Sequence, residues 1–199
     1  MQARRIVVAA LLTAVVVLTG CSARSNARSS STSAQAPATT AAAATTSTAV
    51  ATTATVATAW PTGPRSGPAT GGGELVAIRT ARHATFDRVV FQFNGKGHPA
   101  YRVEYVPRVT EDASGRPVPL QGRAFLWVVF QGASTMDVNA HRVYTGPTTI
   151  TPGFPTLKQV KIAGDFERVL SFGIGVDHRT GFRVLPLTNP SRVAIDLAH

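Results

Sequence analysis

The sequence predicts an all-β sandwich of about eight short strands, preceded by a long disordered tether. Three observations predict it. After Glu74, apolar and β-branched runs recur about every 10–15 residues, with Gly, Pro, Asn and Asp between them. No stretch there shows sustained helical spacing. Before Glu74, from residue 22 on, the chain is almost entirely Ala, Thr, Ser, Pro and Gly, which cannot supply a core.

Residues 1–21 read MQARRIVVAALLTAVVVLTGC. A basic head, Arg4 and Arg5, precedes an uncharged, largely apolar run from Ile6 to Leu18. That run is shorter than the ~20 residues a bilayer span takes, and it fits the core of a secretory signal peptide over 1–20. Leu18-Thr19-Gly20-Cys21 resembles a bacterial lipobox, which implies cleavage after Gly20 and lipidation of the Cys21 thiol. Two acyl chains anchor durably, at about 0.8 kcal/mol per buried methylene, where one holds only marginally. The expectation is a lipoprotein of the cell membrane, facing the extracytoplasmic side, with the membrane as partner through Cys21. Cys21 is also the only cysteine, so a disulfide within the chain and a cysteine metal site are excluded.

The tether is read over 21–73. It includes AAAATTSTAVATTATVATAW and ends in PTGPRSGPATGGG. Large apolar side chains are too few to offset the entropy of ordering the backbone. A flexible chain of this length spans on the order of 40 Å, enough to carry a domain out among wall polymers. Trp60 stands alone in it and reads as incidental.

The remaining 126 residues, 74–199, suffice for one core without staples. The whole chain carries 20 basic and 10 acidic residues; the predicted domain keeps 15 of the basic ones and all the acids. That excess is scattered over many strands. Nucleic-acid binding needs a clustered basic face, so nucleic acid is excluded as a partner. Diffuse attraction to anionic headgroups or wall polymers fits; an arginine-rich soluble surface is the plain alternative.

Strands are predicted near 75–81, 88–94, 101–106, 124–130, 156–162, 168–176, 182–187 and 192–197, with a short extra one near 117–120. Asn94-Gly95 and the 177–181 segment read as hairpin turns. Phe125-Leu126-Trp127-Val128-Val129-Phe130 is apolar on both faces and predicts a central strand covered on each side. In Arg192-Val193-Ala194-Ile195-Asp196-Leu197 the alternation points Val193, Ile195 and Leu197 inward. Phe86-Asp87-Arg88-Val89-Val90-Phe91 is echoed by Phe166-Glu167-Arg168-Val169-Leu170-Ser171, and Tyr101-Arg102-Val103 by Phe182-Arg183-Val184. Two related hairpins, one per half, would make the sandwich pseudo-symmetric; chance similarity of short strands is the alternative.

The closing stretch Gly181-Phe182-Arg183-Val184-Leu185-Pro186-Leu187, then Asn189-Pro190-Ser191-Arg192-Val193-Ala194-Ile195-Asp196-Leu197, resembles the end of an AMIN or AMIN-like domain. The Phe-Asp-Arg-Val-Val-Phe segment is similar to that family's early strand. The resemblance covers about residues 75–199. It implies an all-β sandwich on envelope proteins, where such domains target amidases and secretion components to peptidoglycan or the division site.

No catalytic constellation emerges, and the expectation is a protein that is not an enzyme and needs no cofactor or metal. His83, His98, His141, His178 and His199 lack ligand spacing and read as solvated loop residues. Asp87 and Glu167 are each followed by Arg, which lowers a carboxyl pKa where a general acid needs it raised. Cross-strand ion pairing is the better reading. Ser171-Phe172-Gly173-Ile174-Gly175 sits inside a strand pattern, so it is no phosphate loop.

Residues 131–155 are long for a connection inside a small domain. Arg142-Val143-Tyr144 could add a short strand. Tyr144 and Phe154, with His141 and Arg142, are the candidate ligand-binding set, able to stack on and hydrogen-bond a sugar or peptide. The alternative is a loop folded back to cover the sandwich edge. The function expected is thus a non-catalytic binding or targeting module for peptidoglycan or a wall-associated protein. A carrier for a hydrophobic envelope ligand is the other reading, and requires a cavity between the sheets.

Overall fold

The computed structural model describes residues 60–199, which form β-strands and connections with no helix. Cys21, the signal segment and the tether up to residue 59 lie outside the described residues. The strands are β1 (Arg65–Gly67), β2 (Gly73–Arg82), β3 (Phe86–Phe93), β4 (Ala100–Val106), β5 (Ala124–Gln131), β6 (Ala133–Ser134), β7 (Thr149–Ile150), β8 (Leu157–Phe166), β9 (Val169–Val176), β10 (Phe182–Thr188) and β11 (Ser191–Ala198). All eight strands expected from alternation are present; β1, β6 and β7 are short additions at sheet edges.

The strands form two stacked sheets. One runs β1-β4-β5-β9-β8-β7 and the other β10-β11-β3-β2-β6. Inward residues alternate as the sequence predicts: Val193, Ile195 and Leu197 of β11 are fully buried. Between the sheets Phe91 and Phe172 lie 4.6 Å apart, centroid to centroid, and Phe130 touches both rings and Phe93 at 5.1–6.0 Å. Each such side chain contributes about 1.5–3 kcal/mol by leaving water. The interlocked rings fill the space a carrier would need empty.

The sandwich is pseudo-symmetric in its strand order. β4-β5-β9-β8 in one sheet corresponds to β10-β11-β3-β2 in the other, so the half β2–β5 maps onto the half β8–β11. Each half is a hairpin, a crossing between sheets, and a second hairpin. The shorter echo follows this symmetry, with Tyr101, Val103, Phe182 and Val184 all turned to the core from β4 and β10, but the longer one does not. Phe91 points into the core, while its echo Ser171 faces outward and donates to Asp112 at 2.6 Å. A shift of one residue flips every side chain to the other face.

Two expected turns are corrected. Asn94-Gly95 lies between β3 and β4, and 177–181 between β9 and β10, and each pair is split between the two sheets. These segments are sheet-crossing corners, not hairpins. Packing also overrides local turn signals at the β8–β9 hairpin, whose central residues Glu167 and Arg168 adopt positive φ of 49° and 60° without being Gly or Asn. Arg168 compensates by donating to Glu74 (3.2 Å) and to the Gly132 carbonyl (3.1 Å).

The first half of the outer face of β5 is covered, in part as its apolar run predicts. The 107–123 segment lies over it, packing Val109, Val118 and Leu120 against Phe125 and Trp127. The 117–120 strand is corrected to a single bridge, Thr110 to Pro117, inside this cover. Room for it comes from β9: a Cβ on Gly173 would sit 2.6 Å from Leu120, and one on Gly175 only 1.8 Å from the Gln121 carbonyl. The glycines of Ser171-Phe172-Gly173-Ile174-Gly175 therefore serve packing.

The tether boundary at 73 is also corrected. Residues 60–71 belong to the domain, running along the side of the sandwich where β4 and β10 lie. Phe182 N–H donates to the Pro61 carbonyl at 3.1 Å, β1 pairs with β4, and Gly71 N–H reaches the His98 carbonyl. Trp60 is not incidental. Its ring lies 5.7 Å from Phe86 and carries the Arg183 guanidinium 4.3 Å from its centroid.

Candidate functional site

Strand alternation on β4 and β5 builds one concave surface. Val103, Leu126, Val128 and Phe130 point into the core, so their neighbours Arg102, Glu104, Trp127, Val129 and Gln131 face outward. Pairing sets Arg102 opposite Val129, and Glu104 opposite Trp127. The first-described segment supplies the far wall through Ser66, Gly67 and Pro68. The resulting groove holds about 630 Å3. Gly67 permits this wall, since a Cβ there would lie 2.5 Å from the Tyr101 ring.

The groove combines an apolar floor with a charged rim. Arg102 forks onto Glu104 with contacts of 2.8 and 2.9 Å. The hydrogen bond to Glu104, with its charge, raises the Arg102 pKa above the ordinary arginine range. Trp127 is half-buried, and its indole Nε1 is buried without a hydrogen-bond partner among the described residues. Trp127 is thus shared between the groove floor and the cluster around Val109 and Val118. Gln131, exposed at the end of β5, offers both a donor and an acceptor.

The four residues singled out from the sequence are not brought together as a binding surface. Tyr144 is 2% exposed and belongs to the main core, and its hydroxyl donates to the Pro147 carbonyl at 2.8 Å. Burial pushes its pKa up. Phe154 packs partly buried on the same core. His141 and Arg142 are exposed, with His141 bound to Asp137 at 3.2 Å and Arg142 bridged through its backbone to Met136. Arg142-Val143-Tyr144 is thus one bridge and no strand. The 131–155 loop folds back on the edge, with β7 extending the sheet beside β8. Its aromatics serve the core.

The acidic residues behave partly as expected. Arg88 does pair across strands, but with Asp196 of β11, at 2.6 and 2.9 Å. Arg183 adds a third contact to Asp196 at 2.8 Å. Burial opposes ionisation of Asp196, yet the two arginines outweigh it and hold its carboxyl below the ordinary range. Asp87 is fully buried and does not pair with Arg88. It accepts the N–H groups of Thr156 and Leu157 at 2.8 and 2.9 Å and meets His199 Nε2 at 3.0 Å. Glu167 lies in the exposed β8–β9 turn. His199, so engaged, and His98, 6% exposed in the β3–β4 corner, are not the free loop histidines expected.

The profile of the AMIN-like domain matches residues 73–199. The chain belongs to the AMIN-like domain family. No curated protein and no solved structure matches it. AMIN-like domains are in general non-catalytic modules associated with peptidoglycan or other envelope components. In this AMIN-like domain sequence reasoning missed the groove, because its floor comes from a strand read as covered on both faces. The signal was there in part: Arg102 and Glu104 alternate with Val103 and Tyr105, marking an outward charged face beside Trp127.

Proposed function

We propose that the chain is a lipid-anchored envelope module that binds peptidoglycan through the β4–β5 groove. The observation that carries the reading is the groove itself, with a half-buried indole in its floor set beside a charged pair. Sugar rings present apolar C–H faces to an aromatic floor and hydroxyls to polar rim groups such as Arg102 and Gln131. Wall peptides add carboxylates and amides that match Arg102 and Gln131. The lipobox-like Leu18-Thr19-Gly20-Cys21 supports the anchor. The interlocked phenylalanines between the sheets weigh against a hydrophobic-ligand carrier.

Co-sedimentation of the full-length protein with isolated peptidoglycan, at low and at physiological salt, tests the groove. Saturable binding that survives salt is expected. Trp127→Phe, which shrinks the aromatic floor, should weaken it about three- to five-fold through lost apolar contact. Failure of the wild type to bind, or full binding by the variant, removes the groove from the reading. Cys21→Ala should accumulate unprocessed or leave the membrane; fractionation like wild type would refute the anchor.

A further inference from the structure

We propose that a second cleft, where β9 leaves one sheet for β10 in the other, is a binding site for a phosphodiester. The cleft holds about 350 Å3 and shares no lining residue with the β4–β5 groove. Tyr105, Pro107 and Phe125 give it an apolar wall. Arg123 and Arg179, with Val106 and Ala124, complete the lining, and no carboxylate lines it among the described residues.

The fold restrains the guanidinium of Arg179 and the backbone of Arg123. The Arg179 guanidinium lies over the Tyr105 ring, 4.6 Å from its centroid. Stacking of this kind restrains a guanidinium that would otherwise sweep through solvent. Tyr105 is itself held: its hydroxyl donates to the Thr180 carbonyl at 2.9 Å and accepts from the Thr180 N–H at 3.0 Å. The backbone of Arg123 is fixed at the cleft by its N–H, which donates to the Val176 carbonyl at 2.8 Å.

Neither guanidinium is neutralised. Among the described residues, neither Arg123 nor Arg179 makes an ion pair. The nearest acid in sequence to Arg179, Asp177, faces Lys158 at 3.9 Å and His178 at 3.5 Å. Two cations lining one concave space call for an anion. Guanidinium forks match phosphate oxygens in a bidentate geometry. The apolar wall suits the carbon backbone of a small polyol ester beside that phosphate. Two sources carry this chemistry, a glycerophospholipid headgroup and a polyol-phosphate wall polymer. The site is defined by its own residues and does not depend on the groove.

Calorimetric titration of the full-length protein in non-ionic detergent tests it with two probes. One is glycerophosphoglycerol, a soluble polyol phosphodiester, and the other short-chain phosphatidylglycerol below its micellar concentration. Saturable binding of at least one probe is expected. Arg123→Gln and Arg179→Gln should each weaken it by about ten-fold or more, while Arg82→Gln, an exposed arginine of β2, leaves it unchanged. Arg123→Gln keeps the test independent of folding, since that side chain makes no hydrogen bond among the described residues. Equal affinity for both probes assigns the ligand to a polyol phosphate; binding of the lipid alone assigns it to a headgroup. Absence of saturation with both probes overturns the site, as does an equal loss in Arg82→Gln. Arg123→Gln should still co-sediment with peptidoglycan, so that failure here and failure of the groove remain distinguishable.

Discussion

The outer faces of the two sheets occupy corresponding places in the pseudo-symmetric fold and carry opposite chemistry. On the β5–β9 face, Phe125, Trp127 and Val129 stand beside Ser171, Gly173 and Gly175. On the corresponding β11–β3 face, Arg192, Ala194 and Asp196 stand beside Arg88, Val90 and Gln92. The first face is apolar and, at its glycines, stripped of side chains, so the 107–123 segment can settle on it at van der Waals distance. The second is organised by the Arg88–Asp196–Arg183 row and bears charge that an apolar cover could not solvate. One strand order thus supports a buried outer face or a charged one, and side-chain volume and charge on two strands decide which.

The largest effect should come from breaking the charged row. Asp196→Ala leaves Arg88 and Arg183 without their shared carboxylate and should cost about 3–5 kcal/mol, measured by denaturant unfolding. The same row sets an acid limit. Asp196 has a lowered pKa in the fold, so its contribution is complete above the unfolded carboxylate range and is lost as pH falls through the folded value. An acid titration of unfolding should show this limb in wild type and a shallower one in Asp196→Ala; identical limbs would remove Asp196 as its source.

On the covered face, Gly175→Ala should cost about 1–3 kcal/mol, because the added methyl meets a backbone carbonyl that must move. Hydrogen exchange should then show the 107–123 segment losing protection first. Gln92→Ala on the charged face is the matched control and should stay within about 0.5 kcal/mol. If the two substitutions cost the same, the cover contributes nothing to stability.

Smaller still is Tyr144→Phe, which removes the hydroxyl donated to Pro147 and should cost about 1 kcal/mol. Its peptidoglycan co-sedimentation should equal that of wild type, in contrast to Trp127→Phe. A loss of binding in Tyr144→Phe would return the ligand to the 131–155 loop.

Legibility in the sequence followed the range of each interaction. Alternation in Arg192-Val193-Ala194-Ile195-Asp196-Leu197 is local, and its inward residues were correctly read. The apolar run of β5 announced a cover on its outer face, though not which segment would supply it. Tyr144 and Phe154 were misread because an aromatic in a long loop looks the same in sequence whether it faces solvent or fills a core edge. Trp60 was overlooked because its partners, Phe86 and Arg183, lie far along the chain.

By itself, then, the sequence determined the all-β class, the positions of eight strands, the inward face of each clear alternation, and the one cysteine with its lipobox-like surroundings. Period-two patterning and composition are properties of neighbouring residues, and need no knowledge of partners. Tertiary structure alone decided which sheet each strand joins, that Asn94-Gly95 and 177–181 are corners, that 60–71 closes the side of the sandwich, and that Trp127 borders a groove. Those outcomes depend on contacts between residues tens of positions apart, where side-chain volume, charge and backbone pairing are settled together.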